Sequence, residues 1–183
     1  MPLKELVPEK LWEYENFLTE DEVSLLVSTV TNAPEEDWFK AEMDPNDIND
    51  AGKNLCLDED KDVGPVISEI AERVNSLFSD FDYMVDLGCI VRGSEKYPVT
   101  GMHRDNEADG IDTEHMYGVL LYLNSDFDGG EICYPELDVV YKPKPGVLLI
   151  HHASNLHGVN PVNSGVRYSM IAFAVGLNSK INF

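Results

Sequence analysis

Three residues in this chain have the types and spacing that could grip a metal ion. His103-Arg104-Asp105 forms an H-x-D. On an extended backbone, residues i and i+2 project to one side, so imidazole and carboxylate can close on one cation. Taken alone the pair says little, because five His among 34 acidic residues give roughly one such pair by composition. His157 offers a third ligand in N-L-H-G-V-N-P-V, ahead of a turn built from Asn160, Pro161, Asn163, Ser164 and Gly165. The chain is then expected to return as the strand R-Y-S-M-I-A-F. Paired in a hairpin, that strand would lie about 4.8 Å away and bring Arg167 into the cavity of His157. Arg167 and Ser169, again i and i+2, share a face.

Two imidazoles and one carboxylate on a metal leave three positions open, the pattern of non-haem Fe(II) oxygenases. A 2-oxo acid can chelate through two of these positions and dioxygen can take the last. The far carboxylate of a dicarboxylic 2-oxo acid needs a buried cation, and a guanidinium supplies a planar fork that does not deprotonate. Arg167 is that candidate, with Tyr122 and Ser169 as further hydrogen-bonding groups. His151 and His152 close an apolar strand, and by alternation one of them faces inward. Neither has an Arg at hairpin distance, which favours a packed or rim role over ligation. The stretch D-N-E-A-D-G-I-D-T-E from Asp105 resembles a calcium loop, but its twelfth position is Met116 where a Glu is required. It reads as a solvated lid, and His115, just after it, as a loop residue.

The elements that must hold these residues follow from periodicity. Thr19 with Glu22 three residues on forms a capping box, and Leu18 and Val23 can staple across it. Val23, Leu26, Val27 and Val30 keep helical spacing until Pro34. A second helix starts near Pro65 and carries Val66, Ile67, Ile70, Ala71, Val74, Leu77 and Phe78 on one stripe. The segment from Lys40 to Gly64, rich in Asp, Asn, Pro and Gly, reads as a long surface loop. From about Asp82, strand-like runs alternate with turn residues: 83–91, 99–103, 116–123, 131–134, 139–142, 147–151 and 167–175. Gly129-Gly130 reads as a hairpin turn leading into a strand from Glu131. The expectation is a mainly β sandwich or barrel with flanking α-helices, one domain over 1–183. Residues 1–80 form the helical flank and 81–183 the β core.

Composition narrows the function. The 183 residues carry 34 acidic and 13 basic side chains, a net charge of −21. Nucleic acids and anionic membranes are therefore excluded as expected partners, since both are bound through Lys and Arg. Cys56, Cys89 and Cys133 are odd in number and never in a C-x-x-C, so neither a disulfide framework nor a cysteine zinc site is expected. The first sixteen residues hold no signal-peptide core, and no apolar run reaches bilayer length. A soluble cytoplasmic protein is the expectation.

From His103 to Phe173 the sequence resembles the Fe(II)/2-oxoglutarate-dependent dioxygenases, in their prolyl 4-hydroxylase-like branch. The matching stretches are H-R-D at 103, Y-L-N at 122, F-D-G-G-E at 127, K-P-G-V-L-L-I at 144 and H-G-V-N-P-V-N-S-G-V-R-Y at 157. The resemblance extends more loosely over the flanking helices and the strand at 83–91. It implies a double-stranded β-helix (jelly roll, cupin-like), with His103, Asp105 and His157 as the iron ligands and catalytic set. Arg167 and Tyr122 match the positions that hold the distal carboxylate of 2-oxoglutarate. It further implies hydroxylation of an unactivated C–H bond in a peptide, protein or small-molecule substrate, with release of succinate. Ascorbate is the additional cofactor such enzymes suggest.

Two departures matter. Collagen-type members carry Lys where this chain has Arg167, although other members use Arg. The tyrosine-rich strand often found ahead of the H-x-D is replaced by I-V-R-G-S-E-K-Y-P-V-T-G-M, leaving Arg92 and Tyr97 as substrate candidates. The competing readings are a catalytically silent β-helix module that binds a metal or sugar, and a nucleic-acid demethylase, which the charge disfavours.

Overall fold

In a computed structural model of the chain, the residues described are 3–39, 53–57, 62–78, 83–85, 89–95, 101–107 and 117–176. The elements are β1 (Lys4–Val7), β2 (Leu11–Tyr14), α1 (Glu20–Asn32), β3 (Lys53–Cys56), α2 (Gly64–Leu77), β4 (Tyr83–Val85) and β5 (Cys89–Ser94). They continue with β6 (Tyr117–Tyr122), β7 (Asp128–Gly129), β8 (Ile132–Tyr134), β9 (Val139–Tyr141), β10 (Leu148–His152), β11 (Gly158–Val159), β12 (Val162–Ser164) and β13 (Val166–Gly176).

The capping box forms as expected. The Thr19 hydroxyl accepts from the Glu22 amide at 3.2 Å, and the Glu22 carboxylate accepts from the Thr19 amide at 2.7 Å. Glu20, Asp21 and Glu22 lie in the first turn of α1, where negative charge offsets the exposed amides. Pro34 directly follows the C-cap Ala33 and ends the helix. Pro65 occupies the first turn of α2, where its missing N–H costs nothing.

The strands form a large antiparallel sheet in the order β1-β2-β10-β6-β13-β5-β3, with β4 also on β13. Facing it are the small sheets β11-β8-β9 and β12-β7. This is the double-stranded β-helix that the resemblance implies. Side-chain alternation divides the large sheet between two cores. Val119 and Leu121 of β6, Leu148 and Ile150 of β10, and Met170 and Ala172 of β13 pack with Leu26, Val30, Ile67, Ile70 and Val74 of the helices. Leu120 and Tyr122 of β6 and Leu149 of β10 point the other way and meet Ile132, Tyr134 and Tyr141 of the facing sheet. Burial on both faces is why β6 and β10 read as unbroken apolar runs rather than alternating ones.

Three expectations need correction. The first 80 residues are not simply a helical flank: β2 pairs with β10 and β3 pairs with β5, so both extend the large sheet. The segment read as one long loop contains β3; the rest of that loop, 40–52 and 58–61, lies outside the described residues. Gly129-Gly130 does not turn a hairpin: Gly129 ends a short strand paired with β12, the next strand, β8, starts at Ile132 in a different sheet, and the two glycines have φ of 77° and 68°. Among the described residues, no helix is long and apolar enough to cross a membrane.

Candidate active site

His103 and His157 are brought together by their own backbones. Each residue's amide donates to the other's carbonyl, at 2.8 Å and 2.9 Å, in an isolated antiparallel bridge. Gly158 makes the approach possible, because a Cβ there would lie 3.0 Å from the backbone of Gly101 and Met102. Asp105 opens a single 3-10 turn (105–107), so the H-x-D is not fully extended, yet both of its ends reach the same point. Arg104, between them, turns outward to the Ser154 carbonyl and the Glu136 carboxylate, which pins the segment to the neighbouring loops.

Both imidazoles are oriented for ligation. His103 donates through Nδ1 to the Gly101 carbonyl (2.9 Å) and His157 through Nδ1 to the Asn155 carbonyl (3.0 Å). Each Nε2 is thereby left with a bare lone pair. These two atoms face Oδ1 of Asp105 at 3.3 Å and 3.5 Å, and the three ligand atoms lie within 4.8 Å of one another. Burial and the adjacent His151 push the His157 ring down to about 4, so it is neutral near pH 7. Burial works against the Asp105 carboxylate, but the surrounding imidazoles, His103 and His151 foremost, outweigh it and hold the group well below the usual carboxylate range. Lone pairs converging on an ionised oxygen repel one another unless a cation sits among them. The donor set therefore fits a divalent metal.

The parity of β10 settles which of its two histidines turns inward. His151 shares the face of Leu149, is 1% exposed, and bonds through Nε2 to Oδ2 of Asp105 (2.8 Å) and through Nδ1 to the Tyr134 hydroxyl (2.8 Å). His152 faces the other side, with Nδ1 on the Ser154 hydroxyl.

Arg167 reaches the same interior from β13, but not through the hairpin the sequence suggests. β11 pairs with β8, whereas β13 pairs with β5 and β6, so His157 and Arg167 approach from opposite sheets. Arg167 is fully buried and donates through Nη1 to the Ser169 hydroxyl at 2.9 Å. Its Nε and Nη2, and the Tyr122 hydroxyl, make no hydrogen bond. The guanidinium carbon lies 5.2 Å from the Tyr122 ring centroid, close enough for each group to influence the other's ionisation. Two unsatisfied donors on a buried cation are costly, and a carboxylate is the group that satisfies them bidentately. The pocket thus fits the distal end of a dicarboxylic 2-oxo acid.

Arg92 is not brought to this set. It lies opposite Tyr168 on β5, across the sheet from Arg167's side chain. It is held by both Glu35 oxygens (3.1 Å and 2.9 Å) and stacks 4.3 Å from the Trp38 ring centroid. Tyr97, His115 and residues 108–114 of the acidic lid lie outside the described residues. The cysteine expectation is also corrected: Cys56 is disulfide-bonded and stands opposite Cys89 in the β3–β5 register, while Cys133 is free. Cysteines 33 positions apart gave no local spacing signal. Tyr134 was not singled out from sequence. The signal beside it was Gly118, a glycine inside an apolar strand, which marks a close approach.

Comparison with known proteins finds the same fold among 2-oxoglutarate-dependent and prolyl hydroxylases. No protein-family model matches the chain. A PKHD-type hydroxylase of Synechococcus sp. (strain JA-2-3B'a(2-13)) is 34% identical over 67 residues, covering 36% of this chain and only 30% of that relative's length. Among solved structures, a prolyl hydroxylase from Trichoplax adhaerens, in complex with a hypoxia inducible factor oxygen degradation domain peptide fragment, superposes with a TM-score of 0.72. It is 20% identical and the match covers 92% of this chain and 84% of that one. A viral collagen prolyl hydroxylase from Paramecium Bursaria Chlorella virus-1, solved as its 2OG complex, gives a TM-score of 0.66 at 16% identity, covering 93% and 98%. At these identities the two structures speak for the fold.

Proposed function

We propose that the protein is an Fe(II)- and 2-oxoglutarate-dependent dioxygenase. It hydroxylates an unactivated C–H bond in a peptide or protein residue, in the manner of prolyl 4-hydroxylases, and converts 2-oxoglutarate to succinate and carbon dioxide. One observation carries this reading: a His-Asp-His donor set and a fully buried arginine whose Nε and Nη2 make no hydrogen bond both border the buried Tyr134. His103, Asp105 and His157 would hold the metal. Iron, when bound, supplies the redox chemistry that oxygen activation needs and side chains lack.

The chain's own residues supply position and dryness. Arg167, oriented by Ser169, receives the distal carboxylate, and the Tyr122 hydroxyl adds a hydrogen bond to it. Leu120, Ile132 and Leu149 line the space between the sheets and exclude water. A peptide substrate is supported by the Trichoplax enzyme, which was solved with one. The net charge of −21 favours a neutral or basic target over an acidic one.

The test is anaerobic addition of Fe(II) followed by 2-oxoglutarate. A visible charge-transfer band that needs both components is expected, together with succinate release in air. Absence of the band in the folded protein contradicts the proposal.

A further inference from the structure

We infer that His151 is a positioning residue that leaves Asp105 only one oxygen to offer the metal. The inference rests on the metal assignment above and adds a fourth side chain, with its support, to that site. An ionised carboxylate only accepts hydrogen bonds, so the 2.8 Å contact between His151 Nε2 and Asp105 Oδ2 requires the ring proton on Nε2. In the neutral ring Nδ1 is then the acceptor, and the Tyr134 hydroxyl donates into it at 2.8 Å. A directional chain runs from Tyr134 through His151 to Oδ2, while Oδ1 alone faces the Nε2 atoms of His103 and His157. Both nitrogens of His151 are occupied, and it is not among the three residues whose ligand atoms converge. That distinguishes it from a fourth ligand.

The strand beside it is shaped to seat the ring. A Cβ at Gly118 would stand 2.1 Å from His151 Nε2, 2.6 Å from Cε1 and 2.8 Å from Asp105 Oδ2, so any side chain there displaces the imidazole from the carboxylate. Tyr134 is fully buried and packs edge-on to His151 and tilted to His157, with centroids 5.5 Å and 5.8 Å away. A histidine serving only to fill space needs neither the glycine nor the tyrosine.

Outer partners of this kind typically change metal affinity by about 10- to 100-fold. The test is calorimetric titration of the metal-free full chain with Co(II), alongside thermal melts of the metal-free proteins. His151→Phe keeps a ring and removes the donor; its Kd for Co(II) is expected to rise by about 10- to 100-fold. His151→Gln keeps an N–H donor and is expected to recover most of that loss. A role in packing alone predicts a lowered melting temperature with an unchanged Kd, and that result overturns the inference. So does a Co(II) spectrum in which His151→Phe loses a nitrogen ligand, which would make His151 a ligand itself. Should His151→Phe not fold, Tyr134→Phe takes its place: weaker Co(II) binding is expected, and an unchanged Kd overturns the inference. Failure of the wild-type chain to bind Co(II) removes the metal assignment and this inference with it, whereas binding that is indifferent to both positions removes only the role of His151.

Discussion

Replacing Arg167 by Met separates a ligand-binding arginine from a structural one, because the two roles predict opposite signs in two measurements. In the ligand-free protein, Nε and Nη2 of Arg167 are buried without partners. Methionine fills a similar length without the charge, so the ligand-free fold should lose no stability and can gain some. The oxo acid, by contrast, loses its partner. Each hydrogen bond between charged groups contributes about 1.5–3 kcal/mol net, so two of them amount to about 3–6 kcal/mol. At about 1.4 kcal/mol per decade, 2-oxoglutarate binding should weaken by about 10²- to 10⁴-fold. The Tyr122 hydroxyl and Ser169 remain and draw the effect toward the lower end. The assay is calorimetry of 2-oxoglutarate binding to Mn(II)-loaded protein without oxygen, with melting curves of the ligand-free forms. If Arg167→Met binds within about threefold of wild type, which is under 1 kcal/mol, the pocket assignment is refuted.

Three further outcomes are expected. His157→Ala should stay folded by circular dichroism and lose Fe(II)-dependent succinate release; retained turnover would move the ligand to His151. Glu22→Gln should weaken the α1 cap by about 1 kcal/mol in urea titrations. Partial burial opposes the Glu22 charge, but the Thr19 amide and Arg73 outweigh it and lower its pKa. That stabilisation is full above the ordinary carboxylate value and disappears as pH falls through the depressed folded one, so wild type and Glu22→Gln should converge in acid. Tyr141→Phe removes the 2.6 Å hydrogen bond to Glu13, a carboxylate only 4% exposed, and should cost about 1.5–3 kcal/mol of stability by urea titration.

What could be read from sequence was what short spacing and residue chemistry encode. The Arg167–Ser169 pair, the Thr19 box and Pro65 each depend on neighbours within one turn or two residues, and each lies where that logic puts it; the H-x-D converges too, though through a 3-10 turn and not an extended strand. Pairings across long separations were not legible. Nothing near Leu11–Tyr14 announces that β10 is its partner, and nothing around Lys53–Cys56 distinguishes a paired strand from the loop that flanks it. The route by which Arg167 meets His157 was misjudged for the same reason: a turn between them suggests a hairpin, while the fold sends the two strands to different sheets. Alternation showed that one of His151 and His152 points inward but not which. That choice needed the register of β10 against β6, in which His151 stands opposite Gly118.

The central claim is that one metal ion sits among three named atoms. Anomalous diffraction from Mn(II)-soaked crystals tests it most directly. A single strong peak within coordination distance of His103 Nε2, Asp105 Oδ1 and His157 Nε2 is predicted. No peak there, or one held by His151 in place of His157, would contradict the account.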